Sequence, residues 1–185
     1  MLFIWFLIFV FCLVAVWYVR TYNNLVAHRN RIDNGWAQID VQLKRRYDLI
    51  PNIIETVKGY AEHEKQVFQN VMDARERALK AGTVTDQAQA ENIVAQGLRS
   101  IFAIAEAYPQ LRASENFQQL QAALADTEDK IRFARQFYND TVMLYETLRQ
   151  TFPTSFIAER SGFGKRDYFE LDATPDQREA PQVKF

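Results

Sequence analysis

The sequence contains few of the residue types on which several common kinds of functional site depend. A single cysteine among 185 residues excludes a disulfide framework and any cysteine-rich zinc or iron–sulfur site. Six glycines leave little room for the glycine-rich phosphate loops of a nucleotide-binding α/β fold. The 22 Lys and Arg are balanced by 23 Asp and Glu. This balance argues against nucleic-acid binding, because phosphate neutralisation needs an excess of basic residues.

Histidine is scarce as well, which limits the chemistry that the chain could perform. His28 and His63 lie far apart in the sequence, and neither belongs to a Glu-x-x-His pair, so a di-iron bundle site would lack its ligands. A Ser, Thr or Cys nucleophile would lack an adjacent base. The glycines of RSGFGKRD (160–167) resemble a phosphate loop only weakly, because no strand precedes them. We predict that the protein is not an enzyme, with no catalytic residues, cofactor, metal ion or small-molecule substrate.

Residues 1–19 carry no charged side chain, and Arg20 follows them directly. As a helix they would span roughly 28 Å, close to the hydrocarbon thickness of a bilayer. A cleaved signal peptide would need a basic first region and small residues before its cleavage site, and this segment has neither. We therefore predict an uncleaved, single-pass anchor in the lipid bilayer. No Lys or Arg precedes the segment, whereas Arg29 and Arg31 also follow it. The positive-inside rule thus predicts that residues 20–185 are cytoplasmic.

A heptad-like pattern in the last third of the chain predicts one long helix of the kind found in coiled coils. Ser114 is its predicted N-cap and Pro153 its predicted end. The apolar face steps by three and four residues and consists of Phe117, Leu120, Leu124, Thr127, Ile131, Ala134, Tyr138, Thr141, Tyr145, Leu148 and Phe152.

A second apolar stripe begins just after the predicted anchor and keeps its phase through Pro51. It comprises Leu25, Ile32, Trp36, Ile39, Leu43, Tyr47, Ile50, Ile54, Val57 and Ala61, and continues through Phe68, Val71 and Ala78. Either a helix kinked at Pro51 or a turn just before it accounts for this pattern. A further helix is predicted from a cap at Asp86 to about Pro109, with Val94, Leu98, Ile101 and Ala105 facing inward.

These patterns predict an all-α fold with a single N-terminal transmembrane helix followed by an antiparallel four-helix bundle of long helices. The predicted organisation is an anchor at 1–19, the helical bundle at 20–160 and a polar C-terminal tail at 161–185. Within the tail, Tyr168 and Phe169 could dock on the bundle.

A charged surface on the second stripe's helix is the predicted partner-binding site. Lys44–Arg46 lie roughly 36 Å beyond Arg20 along a straight helix. Contact with lipid headgroups is implausible at that distance, because the Debye length is about 8 Å. A solvated helix face is the alternative. The predicted contact or register residues are Arg29, Arg31, Asp40, Lys44, Arg45, Arg46 and Asp48. Spacing also predicts the i,i+4 ion pairs Arg29–Asp33, Asp40–Lys44 and Glu128–Arg132.

Several motifs together resemble the LemA family of bacterial membrane proteins over roughly residues 20–160. They are YNNLV (22–26), RNRIDNGWAQIDVQLKRRYDLIPN (29–52), VKGYAEHE (57–64), EAYPQL (106–111), ENFQQLQ (115–121) and TEDKI (127–131). The resemblance implies a bacterial inner-membrane protein with a single N-terminal span and a cytoplasmic helical bundle with antiparallel packing, and it brings no catalytic motif. Gly35 stands where the family pattern usually has Ala, and Glu146 where it often has Asn, which puts any shared polar site there in doubt.

Two functions remain open from the sequence. The first is a membrane-anchored scaffold or adaptor whose bundle binds a protein partner or further copies of itself. The alternative is a self-polymerising protein for membrane remodelling or envelope stress, supported by long helices with unbroken heptads.

Overall fold

A computed structural model describes residues 1–170, and all of the regular secondary structure in this range is helical. The helices are α1 (Leu2–Lys58), α2 (Lys65–Leu79), α3 (Val84–Glu106), α4 (Pro109–Arg112), α5 (Glu115–Gln150) and α6 (Thr154–Arg160). The all-α prediction and the long apolar N-terminal helix are confirmed. The antiparallel four-helix arrangement stays a prediction, and residues 171–185 of the predicted tail lie outside the described residues.

The chain divides into two compact units, and each is described by itself. Among the described residues, unit 1 consists of Met1–Asp40 and Phe133–Asp167, and unit 2 of Val41–Arg132 and residues 168–170. Unit 1 includes the apolar N-terminal segment, whose side chains are all exposed, and this segment is long and apolar enough to cross a membrane. Below that segment, unit 1 has a core built from Leu25, Ile32, Ile39, Tyr138, Val142, Tyr145, Ile157 and Phe163.

The core of unit 2 comes from α1, α2, α3, α4 and α5. Its fully or nearly fully buried members include Leu43, Ile50, Ile53, Val57, Val71, Val94, Ile101, Leu111, Phe117 and Leu124. Every apolar residue predicted to face inward on α3 is buried. The N-cap of α3 is Thr83, whose hydroxyl accepts the Asp86 backbone N–H and donates to the Asp86 carboxylate. The sequence predicted the cap at Asp86. In the structure Asp86 is the third residue of α3, and it bonds to the cap residue Thr83.

α1 passes through Pro51 without interruption and ends at Lys58. Proline has no N–H, so the carbonyl oxygen of Tyr47, four residues earlier, loses its helical donor. Arg75 of α2 supplies the replacement, since its Nε donates to that carbonyl at 2.8 Å. The helical backbone is interrupted later, at Gly59–Glu64, where successive tight turns separate α1 from α2. Ala61 stays buried in this connection, which explains why the apolar pattern continues across it.

Arg75 and Pro51 are expected to be energetically coupled. Arg75→Met removes the Arg75 hydrogen bond to the part-buried Tyr47 carbonyl and should destabilise the protein by about 1–3 kcal/mol. In a Pro51→Ala background the backbone N–H of residue 51 returns to that carbonyl, and the same substitution should have a much smaller effect. Urea unfolding of the four members of this double-mutant cycle measures the coupling. Equal losses in both backgrounds would show that Arg75 stabilises the fold in some other way.

Two helical glycines respond in opposite ways to the same substitution. A Cβ at Gly35 would lie 3.4 Å from the Cα of Tyr138, an ordinary packing distance. A Cβ at Gly97 would lie 2.8 Å from a methyl group of Val71, which is fully buried and has a stiff side chain. Gly35→Ala should therefore stabilise the protein by up to about 1 kcal/mol through helix propensity. Gly97→Ala should destabilise it by about 1–3 kcal/mol through overpacking. Thermal unfolding of the two variants distinguishes them, and a shared sign would contradict this account.

Candidate functional site

Two buried polar sites organise the chain, one in each unit. The site in unit 2, called the Arg46 cluster, consists of Arg46 and Tyr47 on α1, Gln87 and Glu91 on α3, and Glu128 on α5. Arg46 and Glu91 are only 3% and 2% exposed. The helical repeat places Arg46 in phase with Leu43 and Ile50, and Glu91 in phase with Val94 and Leu98, so both side chains point into the core.

The Arg46 cluster joins three helices through one guanidinium. Arg46 forms ion pairs with Glu91 and with Glu128, the latter at 2.8 Å. The Tyr47 hydroxyl donates to the Glu91 carboxylate, and Gln87 Nε2 donates to the same carboxylate at 3.0 Å and to the Tyr47 oxygen at 2.8 Å. Arg46, Tyr47 and Gln87 of the same unit therefore all bind the buried Glu91 carboxylate. This arrangement specifies the register of α1 against α3 and α5.

The site in unit 1 is centred on Glu146 of α5, which is 6% exposed. One carboxylate oxygen accepts hydrogen bonds from Arg149 and Gln150. The other accepts the backbone N–H of Arg166 at 2.9 Å. Glu146 therefore links α5 to Gly162–Asp167, a segment that we call the strap.

The strap has further attachments to α1 and α5. Tyr145 donates its hydroxyl to the Gly164 carbonyl at 2.8 Å, and Tyr138 donates to the Asp167 carbonyl at 2.9 Å. The Phe163 ring packs edge-on against Tyr22 with centroids 5.6 Å apart, and Arg29 lies over the same ring. Arg166 also pairs with Asp33 of α1 at 3.2 Å. The first residues after 160 are thus a packed part of unit 1.

The titration behaviour of this site follows from its hydrogen bonds. Burial alone would raise the pKa of Glu146, but the donors on Arg149, the Arg166 backbone and Gln150 outweigh it and hold the pKa below its ordinary value. Burial raises the pKa of Tyr138 and of Tyr145, so both phenols remain donors to the strap carbonyls at neutral pH. The carboxylate is consequently ionised whenever the strap is bound near neutral pH.

Six of the seven predicted partner-binding side chains are exposed, whereas Arg46 lies inside unit 2. Arg29 contacts Phe163, and Arg45 forms a surface pair with Asp126 at 3.4 Å. Arg31, Asp40, Lys44 and Asp48 are on the surface of α1. For Arg46, the buried ion pairs agree with the other predicted role, which is to fix the register of the helices. Partner binding by the exposed residues stays a prediction.

The acidic members of two expected same-helix ion pairs bind other partners in the structure. Asp33 pairs with Arg166, and Glu128 pairs with Arg46. Arg132 pairs with Asp129, one turn away, at 2.7 Å. Among residues 1–170 no group of three or more His, Cys, Asp and Glu side chains is placed to hold a metal ion. Glu146 was noted in the sequence only as a departure from the family pattern that put a polar site in doubt, whereas in the structure this residue, next to Tyr145 on the buried face of α5, is the centre of such a site.

Comparison with known proteins places these sites in a family context. The chain is 22% identical over 174 residues to the magnetosome protein MamQ of Magnetospirillum gryphiswaldense, covering 80% of the chain and 64% of MamQ. It is 22% identical over 175 residues to MamQ 2 of Paramagnetospirillum magneticum, with the same coverage of each. It is 25% identical over 148 residues to protein LemA of Metamycoplasma hominis, covering 77% and 66% respectively.

The chain therefore spans somewhat less than two thirds of the MamQ proteins that it matches. The LemA family model matches residues 35–185, which include both the Arg46 cluster and the Glu146 site. This match covers most of the chain and agrees with the resemblance in the sequence motifs. The protein belongs to the LemA family.

Proposed function

We propose that the protein is a membrane-anchored helical scaffold that presents the exposed surface of its helices to a protein partner. One observation carries this proposal: α1 runs unbroken from the exposed apolar segment at 1–19 into the buried cores of both units. No flexible linker separates the span from the rest of α1 in unit 1, so the anchor holds unit 1 at a defined distance from the bilayer.

The charge distribution supports a cytoplasmic position at a bacterial inner membrane. Residues 1–19 contain no Lys or Arg, whereas Arg20, Arg29 and Arg31 follow the span. The positive-inside rule places such a flank on the cytoplasmic side. We assign no catalytic role, because the buried Arg46 and Glu91 form an ion pair with each other, and Tyr47 and Gln87 donate to the Glu91 carboxylate.

The surface proposed for the partner is the exposed charged face of α1 around Lys44 and Arg45. Both side chains are exposed, and Asp40 and Asp48 flank them on the same helix. A patterned surface of this kind favours a partner with the complementary order of charges. Arg45 contributes little to the fold, since its pair with Asp126 is half exposed on both sides. Charge reversal here consequently tests binding with little disturbance of the structure.

The test is crosslinking in native membranes, followed by solubilisation, affinity recovery and mass spectrometry. The double variant Lys44→Glu, Arg45→Glu should lose the partner that the unmodified chain recovers. The matched control is Arg77→Glu, Lys80→Glu, which reverses two exposed cations of α2 outside the proposed surface. Unchanged recovery with the Lys44 and Arg45 variant, at unchanged thermal stability, would exclude this surface as the contact.

A second candidate function is self-assembly, and an exposed apolar stripe on α5 favours it. Phe133, Phe137 and Leu144 share one face of the helix and are 64%, 47% and 51% exposed. Surface aromatic and aliphatic side chains in one line are typical of helix-to-helix contacts. Native sizing in mild detergent tests this function, because Phe133→Ser with Leu144→Ser should then reduce a large assembly to smaller species. A mass independent of these substitutions would argue against assembly through this stripe.

A further inference from the structure

Phe152 and Phe156 form an exposed pair beside the end of the predicted membrane span, and we call this pair the aromatic corner. Their side chains are 84% and 67% exposed. Phe152 belongs to the heptad-like pattern and was expected to be buried. That expectation is wrong, because α5 ends at Gln150 and the helical phase no longer determines where residue 152 points. Phe156 lies on α6, whose neighbouring Thr154, Ile157 and Ala158 are buried.

Contacts within unit 1 place the aromatic corner close to the bilayer. α5 runs antiparallel to α1 in this unit, because Tyr138 packs at the level of Gly35, whereas Tyr145 bonds to the strap, which contacts Tyr22. Gln150 lies roughly 18 Å beyond Tyr138, and the same distance back along α1 from Gly35 reaches about Asn23. The corner therefore lies at about the level of the residues that follow Arg20.

The charges around the corner suit an anionic lipid surface. Residues 149–166 contain four cations, of which Arg149 pairs with Glu146 and Arg166 with Asp33, and a single acid, Glu159. The basic charge available to lipid therefore comes from the other two cations. Arg160 and Lys165 are exposed. Exposed aromatic rings next to basic side chains are the combination with which peripheral segments enter the boundary between headgroups and acyl chains.

We propose that the aromatic corner inserts its two phenylalanine rings into the leaflet at the Arg20 end of the span. This inference rests on the proposed membrane anchor. The chain then contacts the membrane at two points, the span at 1–19 and the α5–α6 corner. Two contacts prevent unit 1 from rotating about the axis of the span.

The experiment places an environment-sensitive probe beside the corner in the full chain. Cys12→Ser removes the native thiol, and Thr151→Cys then carries an NBD label on an exposed position next to Phe152. The control label is at Gln136→Cys, which is also exposed on α5 but lies roughly 22 Å further from the corner. Both proteins are reconstituted in phosphatidylglycerol-containing vesicles, with or without nitroxide-labelled lipid.

The expected result is a blue-shifted emission at position 151 that nitroxide lipid quenches, against a water-like and unquenched emission at 136. Phe152→Ser with Phe156→Ser should abolish the shift. Phe133→Ser should not, because this exposed phenylalanine lies on α5, away from the corner. Carbonate extraction of the same vesicles reports the anchor separately. A water-like probe at 151 in a carbonate-resistant protein would overturn the insertion and leave the anchor in place.

Two other outcomes also overturn the inference. Release of the protein by carbonate would remove the anchor, and with it both the proposed function and the insertion. A blue-shifted probe that nitroxide lipid does not quench, and that becomes water-like when the protein is diluted into excess lipid, would show that a second copy covers the corner.

Discussion

Arg46→Ala is expected to destabilise the protein by about 3–5 kcal/mol, the range found when one partner of a buried ion pair is removed. The substitution leaves the Glu91 carboxylate 2% exposed and without its counter-charge, with only Tyr47 and Gln87 as donors. The neighbouring Arg45→Ala is the matched control. Its pair with Asp126 is half exposed, so the free energy of unfolding should stay nearly unchanged.

Urea unfolding of the full chain in detergent, followed by circular dichroism, measures both effects. A third variant separates the buried charge from general damage to the core. Arg46→Met with Glu91→Leu removes both charges of the pair and should recover part of the loss seen with Arg46→Ala, because no unpaired carboxylate remains between α1 and α3. Equal stability of Arg46→Ala and Arg45→Ala would contradict the role assigned to the Arg46 cluster.

Glu146→Gln is expected to release the strap from α5. One carboxylate oxygen accepts the Arg166 backbone N–H and the other accepts from the Arg149 guanidinium. The glutamine amide has a single acceptor oxygen, so it cannot form both bonds. Losing hydrogen bonds to a charged group corresponds to about 1.5–3 kcal/mol, so the protection factor of the Arg166 amide should fall about tenfold to a hundredfold. Glu159→Gln, an exposed carboxylate on α6, is the control and should change little.

The same carboxylate makes attachment of the strap dependent on pH. The pKa of Glu146 in the folded protein lies below its ordinary value of 4.5. Its contribution to stability is therefore complete above pH 4.5 and is lost as the pH falls through the lower, folded-state pKa. Hydrogen exchange should show the strap loosening in this acidic window in the unmodified chain and not in Glu146→Gln. Identical pH profiles for the two proteins would exclude Glu146 as the titrating group.

Helical periodicity predicted most of the fold because the same face of each helix is buried over long distances. Ile32, Ile39 and Leu43 on α1 and Leu124 and Ile131 on α5 are all buried as their spacing indicates. The end of α1 at Lys58 could not be read in this way. The tight turns at Gly59–Glu64 return the chain to the same apolar phase, so the sequence pattern crosses a break in the backbone. Pro51, the more conspicuous signal, is accommodated by Arg75 of another helix.

The two polar sites were only partly predictable. Arg46 was identified as part of a basic cluster, but its burial follows from its phase with Leu43 and Ile50, which sets it apart from Lys44 and Arg45. Its partners Glu91 and Glu128 are distant in sequence, and no local rule connects them. Glu146 had a signal in its position beside Tyr145, whereas the strap residue Arg166 binds it through a backbone N–H, which carries no sequence signature.

We propose that residues 1–19 cross the membrane and that the helices that follow face the cytoplasm. Protease accessibility, combined with carbonate extraction, tests it most directly. The account predicts that the chain resists carbonate, is protected in intact spheroplasts and is digested in inverted membrane vesicles. Digestion in intact spheroplasts would place the helices on the opposite side, and release by carbonate would show that the apolar segment does not span the membrane.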